Sequence, residues 1–475
     1  MWDDLILALR NAGRNRRRSL VTVLALALCC AGLVLFAGYV AAIFRGDESR
    51  TVSNLGHLQI FHRDFPEKGV GNPAAFVIED HEALRAELLA DPVLAPLIEA
   101  ISGQLVFAGL ASHYEKGASA AFVGFGVDPR EHNAIAEWNP YRLVRPQDLP
   151  VNRLIHRTVP EVDADDPQGG TLGVGLARIL DISARNNPPP MVASAPPPSE
   201  TETGDAPNFA ALEAATAEVT PGGDGMARPT IELLCHPRAG GLPGVATLGV
   251  RSLKNCATLH LDDCQVTLHL SHASALLFPG EPIRVNDLVV LLHRSADTDL
   301  AATRVRAIIE QGHPGLECRT WTELSPFYRQ ITAYLRGLFA FMFGIIATIV
   351  VFTIYNTLSA AIVERTGEIG TLRAMGADRG TIARLFVLEG GAMGVAGGLL
   401  GVLLAAAIGA AINAADIVYE APTTSTFVKL EILIGRAPGV MVFGFCSALA
   451  TSLVSAILPA RHAARLSIVE ALRHG

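Results

Sequence analysis

Four runs without a single charged residue, 19–44, 337–363, 390–415 and 437–460, constrain this chain more than any other feature. Each is longer than the roughly 20 apolar residues that a helix needs to cross a bilayer core. A backbone in hydrocarbon must satisfy its own polar groups, so each run is expected to be a helix. Half of the 475 residues are hydrophobic and only 18% are charged, which is too apolar for a soluble protein of this length. The first run follows a basic stretch, as a secretory signal would. Its apolar core is far longer than the ~7–15 residues of a signal, and we read it as an uncleaved anchor.

Arginine placement sets the expected orientation. Residues 1–18 carry Arg10, Arg14, Arg16, Arg17 and Arg18 against Asp3 and Asp4. The 364–389 segment carries Arg365, Arg373, Arg379 and Arg384, and the 461–475 tail carries Arg461, Arg465 and Arg473. The 416–436 loop has only Lys429 and Arg436. Both termini and 364–389 are therefore expected in the cytoplasm, with 45–336 and the 416–436 loop outside, in a cell inner membrane. The only dense basic run abuts a span, and 45–336 holds 24 Lys+Arg against 36 Asp+Glu, so nucleic-acid binding has no support.

The external block mixes both periods. GHLQIFH (56–62) alternates like a strand, as do 104–110, 120–127, 230–235, 244–250, 265–270 and 287–293. Helical spacing appears at 81–102 and 300–311, and a further helix from Trp321 leads into the second span. No repeated βα unit emerges, so the block is expected to be an α+β domain. Residues 183–229, with Pro188-Pro189-Pro190 and Pro196-Pro197-Pro198, have no apolar period and read as a solvated insertion. TLGVGLARIL (171–180) fits no phosphate-loop spacing and reads as a helix start. Residues 2–13 read as an amphipathic helix on the inner membrane face, in contact with lipid.

Cys235, Cys256, Cys264 and Cys318 fall in the external block and could form two disulfides, with three possible connectivities. No C-x-x-C spacing points to a metal. The chain contains no G-x-x-x-x-G-K-[ST], no H-E-x-x-H and no G-x-S-x-G. The spans hold almost no charge, which disfavours an ion-coupled carrier. No catalytic residue, metal or cofactor is expected, so any energy for work must come from another subunit.

The most informative stretch is ERTGEIGTLRAMGADRGTIARLFVLEGGAMGVAGGLLG, residues 364–401. Ile369, Leu372 and Met375 stand at i, i+3, i+6 and form an apolar edge of the kind that docks in a partner's groove. Glu364, Arg365, Glu368 and Arg373 would set orientation and partner choice, and Gly376 follows the helical turn. Beyond it, Gly390, Gly394 and Gly398 form one small-residue stripe at i+4 spacing, and Gly397, Gly401, Ala405 and Gly409 form another. Such stripes let helix backbones approach closely, within one chain or between two copies.

This stretch resembles the C-terminal module of the FtsX-like, MacB-type ABC transporter permeases. The similarity stands on Glu364-Arg365, Glu368-Ile369-Gly370, Leu372-Arg373-Ala374, Gly376-Ala377, Leu385-Phe386 and Glu389-Gly390, and on PARHAARLSIVEALR (459–473). Gly56–Ile60 and Gly126–Pro129 look like the external domain of the lipoprotein-release (LolC/LolE-like) branch, whereas the Pro-rich insertion departs from it. The resemblance implies a MacB-like periplasmic core between helices 1 and 2. It also implies a second permease subunit, a separate cytoplasmic ABC ATPase bound at the 364–389 elbow, and a lipophilic or envelope substrate such as a lipoprotein, with periplasmic partner proteins. Non-transporting control of a periplasmic enzyme, or an ATPase-free scaffold or sensor, are the alternatives.

Overall fold

The computed structural model describes residues 16–69, 72–145, 148–149, 160–182, 228–235, 243–254, 259–420 and 427–466. The expected amphipathic helix at 2–13, nearly all of the Pro-rich segment, Cys256 and the end of the tail lie outside them.

Among the described residues, four helices are long and apolar enough to cross a membrane. They are α1 (Arg16–Leu55), α5 (Pro326–Glu364), α7 (Arg379–Ala414) and α8 (Pro438–Arg465). α2 (His81–Ala90), α3 (Pro129–Ala136), α4 (Thr298–Gly312) and α6 (Thr366–Ala374) are shorter. α1 and α5 outrun their uncharged runs by about a dozen residues at the end nearest the sheet. At 1.5 Å per residue each is ~60 Å long, twice the hydrocarbon thickness.

Nine described strands lie between α1 and α5 in chain order. They are β1 (Leu58–His62), β2 (Ile98–His113), β3 (Ala118–Val127), β4 (Gly169–Gly173), β5 (Thr230–Cys235), β6 (Gly244–Lys254), β7 (Gln265–His269), β8 (Asp287–Leu292) and β9 (Leu316–Thr320). The hydrogen-bonded order is β3-β7-β4-β6-β5-β2-β8-β1-β9, and β2 also pairs with β3. That extra pairing closes six strands, β2-β3-β7-β4-β6-β5, into a ring. β2 is long enough to serve two neighbours along one side. Its first half pairs with β8 from Ile98 to Gln104, and Leu110–Ser112 pairs with β5. Its other side carries the whole β3 hairpin, Gln104 to His113 against Val127 to Ala118. Strands β8, β1 and β9 extend from the ring as an open flap covered by α2 and α4. One continuous core, including Leu58, Leu84, Leu88, Phe107, Phe122, Leu248 and Val290, runs through both parts. A short hairpin, β10 (Val418–Glu420) with β11 (Phe427–Lys429), occupies the α7–α8 loop.

Two readings of the sequence need correction. The helical spacing at 81–102 ends at Ala90, because Pro92 cannot continue a helix and Asp91 folds back on the chain. The Asp91 carboxylate accepts from the backbone N–H of Val93 (2.9 Å) and Leu94 (3.1 Å), and Arg304 of α4 clamps it with Nε at 2.8 Å and Nη2 at 2.6 Å. Residues 98–102 then become the start of β2. In 171–180, Gly169–Gly173 is a ring strand, and the helix starts only at Val174. A side chain at Gly173 or Gly175 would run into Asp262 and Asp263, so these glycines serve close packing.

Of the pairings open to the four external cysteines, the sheet excludes Cys235 with Cys318; Cys256 lies outside the described residues. Cys235 and Cys318 are free, buried thiols, each pushed up to about 12 by burial. They sit on β5 and β9, four strand positions apart in the sheet order. At ~4.8 Å per strand that is about 19 Å, far beyond the ~7 Å limit for a disulfide.

The junction between the long helices and the sheet centres on a small cluster. Val52 of α1, Ile135, Trp138, Val289, Leu291 and Trp321 pack together, with Tyr328 of α5 alongside. His57, fully buried, meets Trp138 edge-on at 4.9 Å. Its Nδ1 accepts from the Leu292 N–H at 3.0 Å, so Nε2 carries the proton and donates to Ser295 Oγ, also at 3.0 Å. Burial pushes this imidazole down to about 4. As pH falls below 6.5 the unfolded chain takes up a proton that the folded chain refuses until about 4. Stability is therefore complete above 6.5 and is lost as pH falls. Between pH 7 and pH 5 the loss through this group is about 2 kcal/mol. Chemical denaturation of the full chain in detergent checks this: His57→Gln, which keeps an acceptor but does not titrate, loses less stability over that interval than the native chain.

Candidate functional site

The site is the elbow between α5 and α7. α5 ends at Glu364, Arg365 forms a one-residue break, and α6 follows from Thr366 to Ala374. Gly376 stops α6 with φ +100°, a conformation that glycine adopts without strain. Its N–H bonds to Arg373 O at 3.1 Å and the Ala377 N–H bonds to Leu372 O at 3.0 Å, which is the Schellman pattern. Asp378 then caps α7, its carboxylate accepting from the Thr381 N–H at 2.9 Å. The elbow is thus a short helix stopped at its C-terminal end by Gly376, with a separate cap starting α7.

The structure divides the expected docking residues. Ile369 is buried in the cluster that also holds Leu358, Ile362, Ile382, Phe386 and Ala460, so it belongs to the interior and not to a docking edge. Leu372 is 38% exposed and Met375 76% exposed, and these two face outward together with Glu368. The charges expected to choose a partner are largely engaged within the chain. Glu364 pairs with Arg18 of α1 at 3.0 Å. Arg365, buried, faces the buried carboxylate of Glu389 on α7 at 3.6 Å. Arg373 donates to the backbone carbonyl of Leu466, just beyond α8. These contacts tie the elbow to α1, α7 and the end of α8. Spacing gave no access to them, because each partner lies far away in sequence.

Arg18 and Glu389 carry little local sign of a site: Arg18 is one of five arginines in residues 1–18, and Glu389 is one residue of the Glu389-Gly390 motif. A lone carboxylate at the edge of an apolar run was the available signal, since a buried charge needs a partner. A hydroxyl pair, Thr22 with Thr357 at 2.8 Å, joins α1 to α5 one turn deeper.

Behind the elbow, the two glycine stripes seat α7 against different helices. A Cβ on Gly390 would lie 2.6 Å from the Ala456 Cβ, and one on Gly398 would lie 3.1 Å from the Phe445 ring, so that stripe faces α8. A Cβ on Gly397 would lie 2.5 Å from the Leu26 Cβ. One on Gly401 would lie 2.6 Å from the Cys30 Cβ and 2.7 Å from the Ala27 carbonyl, so this part of the second stripe faces α1, whereas a Cβ on Gly409 would meet Ile434 at 2.8 Å. Gly394 abuts Ser452, whose hydroxyl donates to Gly390 O at 3.1 Å. Both stripes are filled within the chain.

Residues 340–468 match the family model for the FtsX-like permease C-terminal domain. An uncharacterized ABC transporter permease of Methanocaldococcus jannaschii is 24% identical over 217 residues, which is 45% of this chain and 51% of that protein. The pyoverdine export ATP-binding/permease protein PvdT of Pseudomonas syringae pv. tomato is 29% identical over 231 residues, 47% of this chain and 32% of that protein. The chain thus spans about half of the first relative and about a third of the second. The matched region contains the elbow, both glycine stripes and nearly all the residues that bury them, apart from those of α1.

Two outcomes are expected. Gly401→Leu, driven into the α1 backbone, costs ~1–3 kcal/mol or more, whereas Gly344→Ala, with open space at its Cβ, is near neutral. Thermal unfolding in detergent compares them. Arg365→Met leaves Glu389 buried without its cation and costs about 3–5 kcal/mol, and adding Glu389→Leu recovers most of it. Unfolding of both variants measures the recovery.

Proposed function

We propose that this chain is the membrane subunit of an ABC-type system. It couples ATP hydrolysis by a separate cytoplasmic ATPase to movement of the 58–320 domain, for export or extraction of a lipophilic or envelope substrate. The match to the FtsX-like permease module over 340–468 carries the reading. The exposed pair Leu372 and Met375 on a short helix whose inner face is buried supports the elbow as the ATPase contact. The continuous helix from the domain junction at Pro326 to the elbow at Glu364 gives a physical route between them. The matched pyoverdine exporter unites ATP-binding and permease parts under one name, which favours an export role driven by ATP. Lipoprotein release remains our first choice of substrate, on the LolC/LolE-like features at Gly56–Ile60 and Gly126–Pro129. A second permease copy or relative would complete the assembly, with the arginine-rich ends of the helices in the cytoplasm.

The elbow pair supplies the test. Leu372→Asp and Met375→Asp each place a charge on the proposed contact without touching the interior and are expected to weaken co-purification of the ATPase at least tenfold. Ile369→Asp, by contrast, unfolds the elbow. ATPase recovery unchanged in folded Leu372→Asp and Met375→Asp would overturn the coupling role. Mass spectrometry of material released from spheroplasts, with and without the chain, tests the substrate: lipoproteins released equally well in its absence exclude that choice.

A further inference from the structure

A cavity of about 220 Å³ lies between α1, α5 and α7 at the arginine-rich end of the helices, with Arg18, Ser19, Glu364, Arg365, Glu389 and Met393 in its lining. Its lining is graded. Arg18 and Glu364 form a half-exposed mouth, whereas Glu389, only 4% exposed, forms the floor. The floor carboxylate has one oxygen, Oε2, that accepts no hydrogen bond, its nearest cation being Arg365 Nη1 at 3.6 Å. At the mouth, Arg18 Nη1 is buried and makes no hydrogen bond, despite its ion-pair distance to Glu364. The lining therefore offers an acceptor in need of a donor at the bottom and a donor in need of an acceptor near the top. A buried ionic group left in that state is costly, so a ligand that satisfies both ends is favoured.

Depth and size narrow the ligand. Arg18 immediately precedes the first apolar run and Glu364 immediately follows the second, so the cavity lies where hydrocarbon gives way to headgroups. Its volume corresponds to about seven waters, which is room enough for a two-carbon phosphate-ester headgroup. We propose that this cavity binds the zwitterionic headgroup of a phospholipid with a primary ammonium, the ammonium donating to Glu389 and the phosphate accepting from Arg18. A trimethylated ammonium has no N–H to give to Glu389 Oε2. A glycerol headgroup has no cation to face that carboxylate, and its net negative charge is repelled by the floor. The site thus selects phosphatidylethanolamine over phosphatidylcholine and phosphatidylglycerol. The inference needs only that the helices cross a bilayer and is independent of the ATPase.

Native mass spectrometry of the full chain, stripped of lipid in detergent and titrated with the three lipids, tests it. Retention of phosphatidylethanolamine is expected to exceed that of either competitor roughly tenfold, the worth of a charge-assisted hydrogen bond. Glu389→Gln, nearly isosteric, and Arg18→Gln, at the half-exposed mouth, should each abolish the preference. Displacement by water-soluble phosphoethanolamine would mark the headgroup alone as sufficient, and failure of displacement alongside a preserved preference would assign the membrane lipid as source. Equal retention of all three lipids by the native chain would overturn the proposal and leave a hydrated cavity. A preference unchanged in either folded variant would overturn it too, and Arg18→Gln keeps that test open if Glu389→Gln does not fold.

Discussion

Close backbone contact along α7 is the constraint on which the membrane part depends. Lipid supplies no hydrophobic drive to bring helices together, so packing has to do it. Glycine at every fourth position removes the side chains that would hold α7 away from its neighbours. One stripe admits α8 and the other admits α1, so that α7 is held from two sides. Polar bonds then register the helices: Ser452 to Gly390 between α8 and α7, and Thr22 with Thr357 between α1 and α5. The loss of helix propensity at so many glycines is offset by contacts that larger residues would forbid.

The elbow inherits its position from that packing. Ile369 inserts between α5, α7 and α8, and Arg365 reaches Glu389 only because α7 lies so near the end of α5. An element that looks on paper like a charged surface loop is anchored through its polar groups. What it leaves exposed is narrow: chiefly Leu372, Met375 and the polar residues beside them. An outward surface this small on a well-anchored helix suits a contact that must pass on a displacement without absorbing it.

Much of this was legible in the sequence because it rests on local period. The four uncharged runs gave the long helices, and alternation gave most strands, with Thr230–Cys235 matching to the residue. Gly376, placed after the helical turn, marks the end of the elbow helix through the backbone chemistry of glycine. Non-local facts were hidden. Helical spacing continues past Asp91-Pro92, and nothing near Ile98 reveals that β8 is waiting to pair with it. Ile369, Leu372 and Met375 look equivalent by spacing, and only the tertiary neighbours of Ile369 turn it inward. The ring closure of β2 with β5 depends on contacts more than a hundred residues apart, as does the partner of Arg18.

Of the four long helices, α5 has the least of its surface covered by the rest of the chain. After Pro326 in its first turn it contains no proline, and it runs from the Trp321–Tyr328 contact to the elbow without interruption. Its neighbours are unlike it: α7 is clamped on two sides and α8 carries Pro459 within its last turns. Mechanically, this makes α5 a stiff strut lying along a comparatively immobile block. A small tilt imposed at Glu364 is carried to Pro326 with little lost to bending, and sideways motion meets mostly lipid. Under the proposed coupling, the strut's stiffness, and not the strength of any single bond, would set how much of a push at one membrane face arrives at the other.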